Sequence, residues 1–256
     1  MTKNRKKYKT VVLYFIRFSM NILVLIISNN SLLHYQLNKA VWLSYMNRFP
    51  NIRCYFIEYT NDDSNTYPYL EDNHCYLKGE ESFDNILIKT LDSIDYFLHY
   101  TAVPFDYIVR TNLSSVWDFD RLQDYLYSLP KEGIYTGHIG PYYHLEELYF
   151  MFYFIGGMGI TMSRDVCEKL IYNREIAESF KNMDDIDIGY TMDQLQIPII
   201  QYYYCLIDSM ESFNENREKI ARKEEIFYRA KSCTEDRTDE PEYMQKIVDL
   251  IYPKDK

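Results

Sequence analysis

The chain is short of glycine, with eight among 256 residues, and no glycine-rich linker, internal repeat or low-complexity stretch divides it. One domain is expected, and the length suits a single large α/β unit. Paired-cysteine motifs are also lacking. The five cysteines (Cys54, Cys75, Cys167, Cys205, Cys233) are odd in number and include no Cys-x-x-Cys. That argues against a disulfide framework or zinc site and points to a reducing, cytoplasmic compartment. The five histidines form no His-Glu-x-x-His, so a zinc protease is not indicated. Positive charge is scarce: 28 Lys and Arg face 38 Asp and Glu, a net −10 that argues against broad nucleic-acid binding. The basic exception, residues 3–9, reads as a solvated tail.

A long uninterrupted apolar run is missing as well. Residues 11–28 come nearest, behind a basic flank that would suit a signal anchor. Arg17, Ser19 and Asn21 interrupt the run, and a spanning helix needs about 20 mostly apolar residues. Residues 22–27 are better read as a buried first strand, and membrane association is not favoured.

What the chain has in quantity is hydrophobic surface, 47% of residues, and tyrosine, 27 of them. The tyrosines accompany many Asn and Ile, a bias typical of AT-rich coding, so most need no functional reading. Apolar runs of strand length alternate with helical ones. Strands are expected at 22–27, 52–58, 106–109, 134–136, 152–161 and 197–201. Helices are expected at 35–47, 82–100 (with Phe83, Ile86, Leu87, Thr90, Leu91, Ile94 and Phe97 on one face), 120–128, 166–173 and 186–195. Residues 61–69 read as a loop, and Ser163 as a helix cap. This alternation predicts an α/β fold with a mostly parallel central sheet flanked by helices. The expected division is a basic segment at 1–20, a domain at 21–210, and a charged C-terminal tail at 211–256, helical near 242–251, packing on that domain.

Two segments concentrate the chemistry. Ile155-Gly156-Gly157-Met158-Gly159-Ile160-Thr161-Met162-Ser163-Arg164-Asp165 reads as a strand whose glycines let a ligand approach the backbone. Asp184-Asp185-Ile186-Asp187-Ile188-Gly189 is an acidic entry to a helix. A carboxylate there can take a proton from a hydroxyl, or simply complement the helix dipole.

The order of these parts resembles the GT-A nucleotide-sugar glycosyltransferases, especially the fringe and β-1,3-galactosyltransferase type. The resemblance is carried by Lys78-Gly79-Glu80-Glu81-Ser82 with Ile88-Lys89-Thr90-Leu91, by Phe105-Asp106-Tyr107-Ile108-Val109-Arg110-Thr111, by the glycine-rich strand ending in Ser163-Arg164, and by Asp184-Asp185-Ile186 where the family has Glu-Asp-Val. The pattern is also similar to predicted glycosyltransferases of large DNA viruses. It implies a single Rossmann-like GT-A domain that moves a sugar from a nucleotide-diphosphate donor, UDP-linked, to a hydroxyl of a glycan, protein or lipid-linked acceptor by inverting displacement. Asp185, with Asp184 next, would be the base, and Gly156 and Gly157 would line the sugar. Asp187 would be structural.

One departure matters. Where the family carries Asp-x-Asp for Mn2+ or Mg2+, this chain has Asn112-Leu113-Ser114. Neutral oxygens are poor ligands for a hard cation, so metal binding at Asn112 and Ser114 is expected to be weak or absent. Asp118-Phe119-Asp120 lies too far along and reads as a helix cap. Cations would then neutralise the leaving diphosphate: Arg110, Arg229 and Lys231, and Lys89 if it is not a plain surface lysine. Arg237 reads as part of a solvated charge run. Trp117 reads as core. A catalytically inactive nucleotide-sugar or glycan binder is the alternative. A two-metal phosphoesterase built on Asp118, Asp120 and the 184–187 cluster fits poorly with so acidic a chain.

Overall fold

The computed structural model describes residues 20–61, 66–144, 149–234 and 236–253. The basic segment 3–9 and residues 11–19 of the apolar run lie outside them. No helix among the described residues is long and apolar enough to cross a membrane.

The first strand, β1 (Ile22–Ile27), is buried on both faces, which is why it reads as an unbroken apolar run. Successive side chains alternate between two cores. Ile22, Val24 and Ile26 point to one and Leu23 and Leu25 to the other. Parallel partners flank it: β2 (Ile52–Thr60) on one side and β5 (Tyr107–Asn112) on the other. Beyond β2 lie β4 (His74–Lys78) and the short antiparallel β3 (Tyr69–Glu71), neither of which the sequence reading anticipated. Beyond β5 come β10 (Gly159–Ser163), antiparallel to both its neighbours, then β7 (Tyr135–Gly137) and β11 (Ile199–Gln201). The eight-stranded order is β11-β7-β10-β5-β1-β2-β4-β3.

Helices cover both faces. One layer holds α1 (Leu33–Tyr45), α3 (Phe119–Tyr127), α7 (Met210–Ala221) and α8 (Glu240–Ile251), packed around Trp42, Tyr45, Phe119 and Met244. The other holds α2 (Ile86–His99), α4 (Arg164–Tyr172), α5 (Arg174–Phe180) and α6 (Asp184–Gln194), around Leu91, Ile94, Val166 and Met192. The expected α/β fold with a mostly parallel sheet between helices is what the chain forms.

Several expectations need correction. The helix expected from 82 begins at Ile86, and Phe83, expected on its apolar face, is 70% exposed. The strand expected over 152–161 is two strands. β9 (Phe150–Ile155) pairs with β8 (Ile139–Tyr143) in a separate hairpin, and a turn over Gly156, Gly157 and Met158 leads into β10. Ser163 occupies the α4 N-cap, but its hydroxyl makes no cap bond. It donates to Asp165 and accepts from the Ile134 N–H.

The C-terminal segment is more than a charged tail. Before α8 it forms α7 and β13 (Phe227–Ala230), a strand buried at every position. β13 pairs with β12 (Tyr204–Ile207) and with β6 (Ser115–Trp117), which directly follows β5. Trp117 is core, fully buried and stacked on Phe227. Asp118 caps α3 by accepting from the Asp120 and Arg121 N–H groups. All five cysteines are free.

Candidate functional site

Strand order reverses at β1: the chain runs outward to β2 on one side, and later returns to β5 on the other. In a doubly wound sheet, ligands bind in the crevice beyond the carboxyl ends of the two strands where this happens. Ile27 and Asn112, the last residues of β1 and β5, are in register, so both strands end together. A cavity of about 360 Å³ opens at that point. Ser28 and Asn29 line it from β1, and Asn112, Leu113 and Ser114 from β5. Glu81, Phe83 and Lys89 line it from the start of α2 and the segment before it, Tyr35 from α1, and Arg229 and Arg237 from the C-terminal segment.

The cations on this wall differ in how they are matched. Lys89, expected at the surface, is 1% exposed. Its Nζ donates to the Ser28 carbonyl (2.9 Å) and pairs with Glu81. Arg237 forks onto the fully buried Glu240, with Nε 2.6 Å and Nη2 2.9 Å from its oxygens. The same Nη2 donates to Ser114 Oγ (3.3 Å). Arg229 sits on β13 opposite Ser115 and is nine-tenths buried. Among the described residues no carboxylate lies within ion-pairing distance of it, and its hydrogen bond is a long one to Ser115 Oγ (3.4 Å). Burial, with repulsion from Arg237 and Arg110 partly offset by Glu240, pushes its pKa down to about 10. It therefore remains charged at neutral pH.

Arg110 links this cavity to the acidic helix start. It projects from β5, 2% exposed. Its Nη1 donates to Asn112 Oδ1 (2.8 Å) and to the Gly157 carbonyl, and its Nη2 pairs with Asp184 (2.6 Å). The glycine turn and the acidic pair, distant in sequence, meet directly: the Gly157 N–H donates to Asp185 Oδ2 (2.7 Å).

The two aspartates are not equivalent. Asp185 spends its other oxygen on the Ile186 N–H (3.0 Å). Asp184 lines a second cavity, about 350 Å³, between the start of α2 and the α5–α6 connection. Burial raises the Asp184 pKa, against the pull of Arg110 and with the push of Asp185. Asp187 lines the same cavity and accepts the Asn182 N–H (2.9 Å). Burial and then the two neighbouring aspartates outweigh that bond and push its pKa up to about 6. Phe83 stands on the walls of both cavities.

The sequence-expected residues therefore divide. Asn112, Ser114, Lys89 and Arg229 line the first cavity, while Asp184 lines the second. Arg110, Asp185 and Gly157 form the bonded bridge between them. Gly156 packs towards Met158, and Lys231 is exposed and off the cavity wall. Arg237, read as a solvated charge, is on the wall. Nothing in its local sequence signals this, because its place depends on Glu240, the first residue of α8, being buried where Asn38 of α1 and the Ser232 N–H bond to it.

No family model matches the chain, and no curated protein sequence is significantly similar to it. Solved structures with a related chain path include a glycosyltransferase involved in the glycosylation of the major capsid of PBCV-1. It aligns at TM-score 0.47 and 13% identity over 88% of this chain and 98% of that one. A 4-diphosphocytidyl-2C-methyl-D-erythritol synthase from Anaerococcus prevotii aligns at TM-score 0.43 and 13% identity, over 72% of this chain and 86% of that one. Likenesses this distant do not bear on what the chain does.

Proposed function

We propose that the chain is a glycosyltransferase that takes a nucleotide-diphosphate sugar in the cavity between β1 and β5. The observation that carries this reading is a buried, unpaired arginine, Arg229, on the wall of a cavity at the strand-order reversal. That is a site prepared for an anion. A carboxylate pair bridged to it through Arg110 supplies what sugar transfer adds to anion binding.

In the reaction, the acceptor oxygen attacks the anomeric carbon as the bond from that carbon to the diphosphate oxygen breaks. The nucleoside diphosphate leaves with the bonding pair, and the acceptor proton passes to an aspartate. We place Asp184 first as that base. It lines the second cavity, where an acceptor can enter, and burial raises its proton affinity. Asp185, with both oxygens holding N–H groups, orders the glycine turn instead.

Asn112 and Ser114, lacking carboxylates, favour one other reading: a protein that binds nucleotide sugar without turnover. Release of nucleoside diphosphate from a panel of nucleotide sugars, with and without acceptors, separates the two. Asp184→Asn is expected to lower turnover by about 10²-fold or more while donor binding persists. Turnover that survives Asp184→Asn and is lost in Asp185→Asn returns the role of base to Asp185. No turnover with any donor that binds selects the binding protein, and no binding at all removes both readings.

A further inference from the structure

Asn112 and Ser114 stand where the resembled family places its metal-binding carboxylates, and the surroundings test whether a divalent ion fits there. Each side-chain oxygen already accepts from a guanidinium: Asn112 Oδ1 from Arg110 (2.8 Å) and Ser114 Oγ from Arg237 (3.3 Å). Arg229, unpaired, lies on the same wall, with Ala230 N–H bonded to the Ser114 carbonyl (2.8 Å). Among the described residues no group of three or more His, Cys, Asp or Glu is placed to hold a metal. A hard cation needs several oxygen ligands, preferably anionic ones. Here it would meet two neutral oxygens whose lone pairs face arginines, and at least one uncompensated positive charge. The residues do not fit a metal.

The same arrangement fits a diphosphate. Lys89, Arg110 and Arg237 each have an acidic partner, Glu81, Asp184 and Glu240, so their charges are largely cancelled. Arg229 contributes net positive charge, and its planar fork matches phosphate oxygens. Arg237 spends Nε and Nη2 on Glu240 and Ser114, which hold it on the cavity wall and leave its Nη1 to donate to a ligand.

We propose that this site binds the diphosphate of its ligand through Arg229 and Arg237, without a divalent metal ion. The proposal rests on the reading of the cavity as a nucleotide-diphosphate site, and sharpens it by replacing metal with guanidinium. At Arg229 an arginine serves better than a lysine, because bidentate contact adds direction to charge.

The test is calorimetric titration of the full chain with two probes, inorganic pyrophosphate and UDP, each in EDTA and then in excess Mn2+. Both affinities are expected to be the same in the two conditions. Arg229→Lys keeps the buried charge but loses the fork, and is expected to weaken pyrophosphate binding by about tenfold. Arg237→Lys, at a half-buried position, guards against misfolding of the strand variant and is expected to weaken it too. Binding that is tenfold or more tighter in Mn2+ than in EDTA, or left unchanged by both variants in folded protein, overturns the proposal. The two readings can fail separately. Pyrophosphate bound in EDTA with no nucleotide bound would keep the metal-free site and remove the transferase. UDP bound only with Mn2+ would do the reverse.

Discussion

A methyl group placed on Gly157 would lie 2.8 Å from Arg110 Nη1 and 3.3 Å from Asp185 Oδ2. Arg110 cannot swing aside cheaply, because it is buried and held by Asp184, Asn112 and the Gly157 carbonyl. The same methyl on Gly156 would meet the Met158 Cε at 2.8 Å, the free end of a flexible side chain, and the His138 carbonyl at an ordinary 3.9 Å. Gly157→Ala is therefore expected to cost roughly 1–3 kcal/mol, several degrees in Tm, and to disturb the Arg110 bridge. Gly156→Ala should stay near wild type in thermal melting. Equal losses in the two variants would show that the turn, and not the close approach of Arg110 and Asp185 to Gly157, needs glycine. At this scale the sequence makes the glycines, the acidic pair and Arg229 visible, since glycine beside an apolar run and charge against the prevailing sign both stand out. It hides Lys89 and Arg237. A lysine on an amphipathic helix looks exposed until Ser28 and Glu81 close over it. Arg237 reaches the cavity through a left-handed backbone position (φ 53°) and the carboxylate of Glu240, buried where α8 begins against α1.

Elements with strong periodicity are legible from sequence and those fixed by distant pairing are not. The bounds expected for β1 match the structure, because a strand buried on both faces needs no partner to be recognised. β13 is the opposite case. Tyr228-Arg229-Ala230-Lys231 reads as a basic island in an acidic chain, and residues 227–230 become a strand only because β6 and β12 offer two open edges. Its Phe227 then stacks between Trp117 (4.6 Å) and Tyr204 (5.2 Å), and Ile226 supplies the carbonyl that the Asp118 N–H uses. Removing the chain from residue 226 onward is expected to strip the central strand of this sheet, uncover Trp117 and take Arg229 with it. With only two tryptophans in the chain, the outcome is readable as a red shift in emission together with loss of the cooperative melt. A truncated chain that keeps a native-like transition and emission would show that the C-terminal elements are an addition to the fold and not part of it.

For the molecule as a whole, the buried acids set opposing demands on pH. Glu58 is 1% exposed. Burial alone would raise its pKa, but His74, Lys39 and Ser28 hydrogen-bond to it and bring it down to about 2. Its stabilisation is complete above its unfolded value of 4.5 and is lost as pH falls towards 2. At about 1.4 kcal/mol per unit, that is roughly 3 kcal/mol. Asp187 works the other way. Its folded pKa of about 6 exceeds the ordinary 3.8, so the ionised form destabilises the fold above pH 6, and stability is regained as pH falls from 6 towards 3.8. Asp92, Asp118 and Asp184 are raised as well, each by burial first, and add to that trend. Protonation also relieves the self-repulsion of a chain carrying net charge −10. Burial lowers the pKa values of His34 and His138, which opposes this trend as pH falls below their usual 6.5. The maximum therefore lies on the acidic side of neutrality, above the range in which Glu58 is protonated. Urea midpoints measured across pH should peak there, and Asp187→Asn should raise the midpoint at pH 7 while flattening the rise between pH 6 and 4. The Asn side-chain oxygen can still accept the Asn182 N–H, so the variant removes the charge and keeps the bond. A midpoint that peaks at pH 7 or above and does not respond to Asp187→Asn would mean that Asp187 meets water in the second cavity and ionises there without cost.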